Sequence, residues 1–306
     1  MTRIKLARSD LATEIEDYLI ACRSRGVRPS TIKHAYGYSL RAVLLPWCRD
    51  GHISSVADID QPTLERFADY IRDRSTRSGA PLSESTVKTY HKAVNQLLKW
   101  YADEHSGTAP KVKLHKVPGR KVDILERDKI ALLERTAATE RDRVIIRLLA
   151  DTGMRPGELV SMTKGDLRHA GRRHYVRIGG KTEERDVPIT PEMYARLTAL
   201  ARGGDDDPIF VGLRRDRRTG EREPLTVPGV RQMVGALALD AGIRTAVNPN
   251  VFRHSACRWL LMSGQSTIVV ETIMGHGSEA MIREHYNALG ADDAHDRLMA
   301  VLRAER

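Results

Sequence analysis

Cationic side chains stand at the joints of this sequence. Arg155 follows Gly153 and precedes Pro156 in TGMRPGEL, with Glu158 three residues on. Lys181 falls in the turn of GGKTEERD, and Arg253 and His254 lie in NPNVFRHSAC. His276 lies in IMGHG and Tyr286 in REHYNAL. Guanidinium and ammonium groups fixed at such joints suit the binding of oxyanions, and planar guanidinium forks suit phosphate above all. Taken singly, each residue has an ordinary reading. An arginine at a helix start is usually on the surface, a hairpin lysine is turn chemistry, a histidine after a helix-ending glycine is structural, and a tyrosine near a C-terminus packs.

The whole chain narrows the chemistry. Its 306 residues are long for one core and favour two domains. The formal charge of +10 favours a polyanionic partner, nucleic acid before an anionic membrane. Cys22, Cys48 and Cys257 are scattered and odd in number, which points to a reducing compartment without a disulfide framework. CxxC and HExxH are absent, as are the Gly-rich phosphate loop and the dinucleotide fingerprint, so neither a zinc site nor a nucleotide cofactor is implied. No apolar run approaches the ~20 residues of a membrane span, and the expected location is the cytoplasm.

The elements that must position those residues follow from periodicity. Four amphipathic helices are expected in the first part. One runs through Leu11, Ile15 and Leu19 behind a Ser9 cap, and a second opens at Ser30 and is kinked or ended by Pro46. A third is capped by Asp60 with Pro62 in its first turn, and a fourth runs from Val87 to Tyr101. The stretch SGTAPKVKLHKVPGRK then carries Lys111, Lys113, Lys116, Arg120 and Lys121 with no acid between them and reads as a linker. Beyond Asp123 come two helices, the second closed by Gly153 as a left-handed cap. RPGELVSM starts another, HYVRIGG and RDVPI form a hairpin, and helices resume at PEMYARLTALA and VPGVRQMVGALALDAG. RGGDDDP and RRDRRTGER read as polar pauses.

In chain order, TGMRPGEL, a hairpin lysine, NxxRH, MGH and a tyrosine resemble the tyrosine recombinase (phage integrase) family, over about Asp10 to Leu302. The resemblance implies a fold that is mainly α with a small antiparallel β-sheet. It implies a two-domain C-clamp: a four-helix core-binding bundle (1–106), a basic linker (107–122) that lies along DNA through its five cations, and an α+β catalytic domain (123–306). It implies a site-specific DNA recombinase that works through a 3′-phosphotyrosyl ester, with neither ATP nor metal. Tyr286 would be the nucleophile, Arg155 and Arg253 would grip the scissile phosphate, and Lys181 would protonate the leaving 5′-oxygen. His276 would hydrogen-bond the phosphate, and Glu158 would support the site. The partner would be double-stranded DNA target sites, bound by a homotetramer that is a monomer or dimer when free. The tail after Tyr286 would dock on a neighbouring protomer.

The physical chemistry fits those roles. Charge builds on the non-bridging oxygens during in-line attack, where two guanidiniums can stand in for a metal. A phenol has a reference pKa of about 10 and needs a cationic pocket to act at neutral pH. Two positions depart from the family pattern. Asn250 occupies the place of the usual histidine of the HxxR box, and an amide donates a hydrogen bond but cannot shuttle a proton. The gap from His276 to Tyr286 is ten residues, one more than usual, and His285 holds the shorter spacing. Two other readings share these residues: a recombinase-like DNA-binding protein that no longer cuts, and a type IB topoisomerase.

Overall fold

The computed structural model describes residues 10–76, 78–114, 123–179, 184–215 and 217–275, together with the single positions 282 and 299. The chain divides into two compact units, Met1–Pro118 and Gly119–Arg306.

The first unit is helical. Asp10 caps α1 (Leu11–Ser24) by accepting from the Thr13 backbone N–H at 2.7 Å, one residue later than the expected Ser9 cap. The next helix opens as α2 (Pro29–Thr31), behind Arg28 rather than at Ser30, because proline at the first position needs no N–H partner. It widens into π turns over Ile32–Gly37 and Leu40–Leu44 and runs on as α3 (Leu45–Asp50). Pro46 therefore does not end it. A proline ring collides with the carbonyl four residues back in an α turn, and the π turn just before Pro46, closed by Leu45 N–H to Leu40 O, provides the room. A 3-10 turn (Val56–Asp58) leads to α4 (Gln61–Asp73), capped by Asp60 as expected. Ser83 caps α5 (Glu84–Glu104).

Leu19, Leu40, Leu44, Leu64, Phe67, Ile71 and Leu97 close the core of this unit, and Trp47 meets Phe67 edge-on at 5.2 Å. One carboxylate is built into it. Glu14 on α1 is buried and accepts from Ser55 Oγ and from the Val56 backbone N–H at 2.6 Å, so α1 holds the start of the 3-10 turn. The expected linker begins as a strap on the same unit. Asn95 of α5 pairs its amide with both the N–H and the C=O of Val112, and the Lys111 N–H donates to Gln61. Val112 packs inward while Lys111 and Lys113 stay exposed, the alternation of an extended segment.

The second unit is built around α7. It comprises α6 (Arg127–Thr136), α7 (Glu140–Thr152), α8 (Pro156–Ser161) and a 3-10 turn (Lys164–Asp166). Strands β1 (Leu167–Ala170), β2 (Arg173–Ile178) and β3 (Arg185–Ile189) follow, then α9 (Pro191–Leu200), β4 (Val211–Arg215) and β5 (Arg222–Pro224). The described elements end with α10 (Val227–Asp240), α11 (Pro249–Met262) and α12 (Thr267–Met274). Side-chain oxygens cap the starts of α7, α9, α10, α11 and α12. Val144, Ile145, Ile146, Leu148 and Leu149 bury most of α7, leaving Glu140, Arg143, Arg147 and Asp151 as a charged stripe that still meets solvent. At roughly 1.5–3 kcal/mol for each buried aliphatic side chain, that helix is the axis of the core.

The expected hairpin is present, with Val176 opposite Val187 and Ile178 opposite Arg185. Two features were not expected. β1 adds a third strand beside β2, and the supposed polar pause at RRDRRTGER overlaps the second antiparallel pair, β4–β5. Both are exposed strands without an alternating apolar stripe, which is the signal a strand reading needs. Among the described residues, no helix is long and apolar enough to cross a membrane.

Gly37 gives a test of the π turn. A Cβ there would lie 2.8 Å from the Ile32 carbonyl oxygen. At an ordinary helical position, glycine to alanine stabilises by about 1 kcal/mol. Gly37→Ala is expected to do the reverse and destabilise by about 1–3 kcal/mol through overpacking. A lower urea midpoint by circular dichroism is the expected result, and a raised midpoint would contradict the packing described.

Candidate active site

Gly153 is where the candidate site begins. It closes α7 at φ +60, and its Cβ position is hemmed in by Ala256 Cβ of α11 and Met274 Cε of α12, each 3.0 Å away. A left-handed residue without a side chain is required there. The chain can then turn at once into Arg155, whose extended backbone precedes Pro156 at the first position of α8.

Glu158 lies one turn into α8 and is only 6% exposed. Its carboxylate accepts from the Arg155 backbone N–H at 2.7 Å and from Arg155 Nη1 at 3.0 Å. It also takes a fork from Arg185, with Nη1 at 3.0 Å and Nη2 at 2.9 Å. Burial pushes its pKa up. The Arg185 fork, the Arg155 N–H, the Arg185 charge and the bond from the Arg155 side chain outweigh that and hold the carboxyl below its ordinary range.

Arg253 is in the second turn of α11, not at its opening, which Asn248 caps. It is 7% exposed, so its side chain is drawn into the unit rather than held at the surface. Nη1 donates to the Gly153 carbonyl at 2.7 Å and Nη2 to the Met274 carbonyl at 2.8 Å. These are carbonyls at the C-terminal ends of α7 and α12, where the helix dipole favours a cation. Burial, and then the charge of Arg155, bring its pKa down to about 10, which leaves it charged at neutral pH. Three guanidiniums around one carboxylate leave a positive excess.

The expected residues therefore divide into groups. Arg155, Glu158 and Arg253 come together. Asn250 lies one turn before Arg253 on α11 and is exposed, its backbone N–H donating to the Asn248 side chain. Lys111 and Lys113 are exposed on the strap of the first unit. Lys181, His276, His285 and Tyr286 lie outside the described residues, as do Lys116, Arg120 and Lys121. Cys48 and Cys257 are no rivals to an oxygen nucleophile, because burial pushes their thiols up to about 12 and about 11.

Arg185 was missed by sequence reasoning. A signal was available: it shares a strand face with Val187, two residues on, and Val187 is core. An arginine on the inward face of a strand calls for a buried acceptor, and Glu158 is that acceptor.

The low carboxyl pKa sets a pH dependence. The unfolded group titrates near the ordinary value of 4.5 and the folded one lower, so the unfolded chain takes up the proton first. The stabilisation is complete above that value and drains away as the pH falls through the folded pKa. Glu158→Gln should thus lower the thermal midpoint most above about pH 5, with the gap to wild type narrowing as the pH is lowered through the acid range. A gap of constant size across that range would contradict the assignment.

A sequence model of the phage integrase family matches residues 124–292. Tyrosine recombinase XerC 2 of Ralstonia nicotianae is 26% identical over 283 residues, covering 89% of this chain and 80% of that protein. Tyrosine recombinase XerD of Caulobacter vibrioides is 29% identical over 286 residues, covering 85% and 87%. Among solved structures, XerH site-specific recombinase bound to palindromic difH substrate has a TM-score of 0.67 at 18% identity, covering 95% of this chain and 85% of that one. The Tn1549 transposon integrase in complex with a circular intermediate DNA has a TM-score of 0.71 at 16% identity, covering 96% and 100%. At such identities the structural likeness concerns the fold. The family match spans more than half of the sequence, and with it the chain belongs to the phage integrase family of site-specific tyrosine recombinases, enzymes that break and rejoin DNA strands.

Proposed function

We propose that Arg155 and Arg253 form the phosphate grip of this recombinase and that Tyr286 is its nucleophile. The observation that carries the reading is the convergence of both guanidiniums on the turn that Gly153 makes between α7 and α8, with a positive excess around Glu158. The phenolic oxygen of Tyr286 attacks phosphorus, the Tyr–O–P bond forms and the bond to the 5′-oxygen breaks. The leaving 5′-oxygen takes its proton from Lys181. The phenolic proton leaves to His276 or to solvent, because Asn250 offers an amide that cannot accept it at neutral pH. His276 donates a hydrogen bond to a phosphate oxygen. The ester keeps the energy of the broken bond, so rejoining to a partner strand is the same step reversed.

We assign the helical first unit as the four-helix core-binding domain of a clamp that closes on duplex DNA. Two observations support this: the exposed Lys111 and Lys113 on their strap, which Lys116, Arg120 and Lys121 continue in sequence, and the DNA in the structures of the XerH and Tn1549 proteins. The active assembly is a homotetramer on DNA, with the segment after Tyr286 docked on a neighbouring protomer.

The first test is covalent capture. The full chain is incubated with a library of nicked duplexes of randomised sequence, and protein-linked DNA is recovered and read. A covalent adduct is expected with wild type and none with Tyr286→Phe. An adduct that persists in Tyr286→Phe would remove the tyrosine from its role, and no wild-type adduct on any duplex would sink the cutting reading. The second test uses the recovered site. Arg155→Ala and Arg253→Ala should each slow cleavage by roughly 10²-fold or more, the usual loss for one preorganised donor. A near-normal rate in either variant would exclude that arginine from the grip.

A further inference from the structure

Arg185 takes part in none of the steps above, yet its guanidinium joins three elements. It opens β3, four residues after Lys181 in the sequence. Its Nη1 and Nη2 hold Glu158 of α8, and its Nε donates to the Ile273 carbonyl of α12 at 3.0 Å. The side chain is 12% exposed. The guanidinium also lies against Gly275, the residue that ends α12 at φ +84. A Cβ there would be 2.8 Å from Arg185 Nη1 and 2.9 Å from Cζ. The next residue in the chain is His276.

Neutralising Glu158 does not account for this arrangement. The carboxylate already has a backbone N–H and a guanidinium from Arg155. The bond to Ile273 goes to a neutral carbonyl, and the approach to Gly275 leaves no room for a side chain there. What these contacts do is fix where the chain leaves α12 relative to α8. A lysine could supply the charge but not the planar fork that makes three directed bonds at once.

We propose that Arg185 is a positioning residue for strand cleavage, which locks the end of α12 to Glu158, and through it to Arg155, so that the segment beginning at Gly275 enters the site from a fixed point. The inference rests on the cleavage reading above. It concerns geometry, because a misplacement of about 1 Å at a reacting centre can cost 10²-fold in rate while binding is kept.

The test compares the full-length wild type with Arg185→Ala, Arg185→Lys and Gly275→Ala on the recovered DNA site. Gly275→Ala keeps the charge of Arg185 and pushes its guanidinium aside, so the signature can be read even if Arg185→Ala does not fold. Three quantities are measured: DNA affinity, single-turnover cleavage rate, and amide exchange across 267–275. In each folded variant, affinity should stay within ~3-fold while cleavage falls roughly 10–100-fold. Lysine should restore the rate only in part. Exchange in the last turn of α12 should rise while that in α6 is unchanged. Wild-type cleavage in folded Arg185→Ala, or cleavage that falls only as far as affinity does, would overturn the proposal. If wild type itself does not cut, the cleavage reading fails, and exchange alone then decides: an unchanged α12 end in Arg185→Ala would still overturn the lock.

Discussion

The second unit depends on how one buried carboxylate is satisfied. Glu158 is removed from water, which by itself favours its neutral form. It stays ionised because it receives a backbone N–H and two guanidiniums in good geometry. Burying an isolated charge is among the most unfavourable events in folding, so each partner must arrive in place. Arg155 arrives because Gly153 turns the chain, and Arg185 because β3 begins where β2 is in register with it. The carboxylate thus obliges a helix start and a strand start to meet.

Arg253 is held by a different device. Its acceptors are neutral, but they are the last carbonyls of two helices, and helix C-termini carry partial negative charge. A guanidinium is thereby stored in a mostly buried position, with no carboxylate bonded to it among the described residues. That matters for phosphate chemistry. A cation already matched to a full negative charge has less to offer a substrate, whereas one matched to helix ends keeps its formal charge for an incoming oxyanion. Arg155 and Arg253 also repel each other across the site, and an oxyanion between them would relieve that repulsion.

Much of this organisation was legible in the sequence, for reasons that can be named. The caps at Asp60 and Gly153, the helix start at Pro156 and the hairpin of HYVRIGG with RDVPI all rest on local rules, and local rules suffice where one residue's geometry decides. Arg155, Glu158 and Arg253 were found through motif order, and they do converge. What escaped depended on contacts distant in sequence or on missing patterns. Arg185 meets Glu158 from 27 residues away, so no helical or strand period displays the pair. β4 and β5 present exposed side chains, so alternation is absent. Pro46 read as a kink or a stop because the sequence does not advertise the π turn over Leu40–Leu44 that makes room for it. The burial of Arg253 was hidden as well, since its acceptors are main-chain carbonyls that every residue possesses.

The three cysteines carry a practical consequence. All are buried, and the thiols of Cys48 and Cys257 are held well above neutral pH by that burial. Thiol reagents react with the thiolate at accessible sites, so the native surface is blank to them. A single cysteine placed at an exposed position such as Lys111 or Asn250 would be the one address a fluorophore or spin label could find. The chain can then be followed on DNA by a reporter of known location, with no need to remove its own cysteines and unsettle the cores they fill.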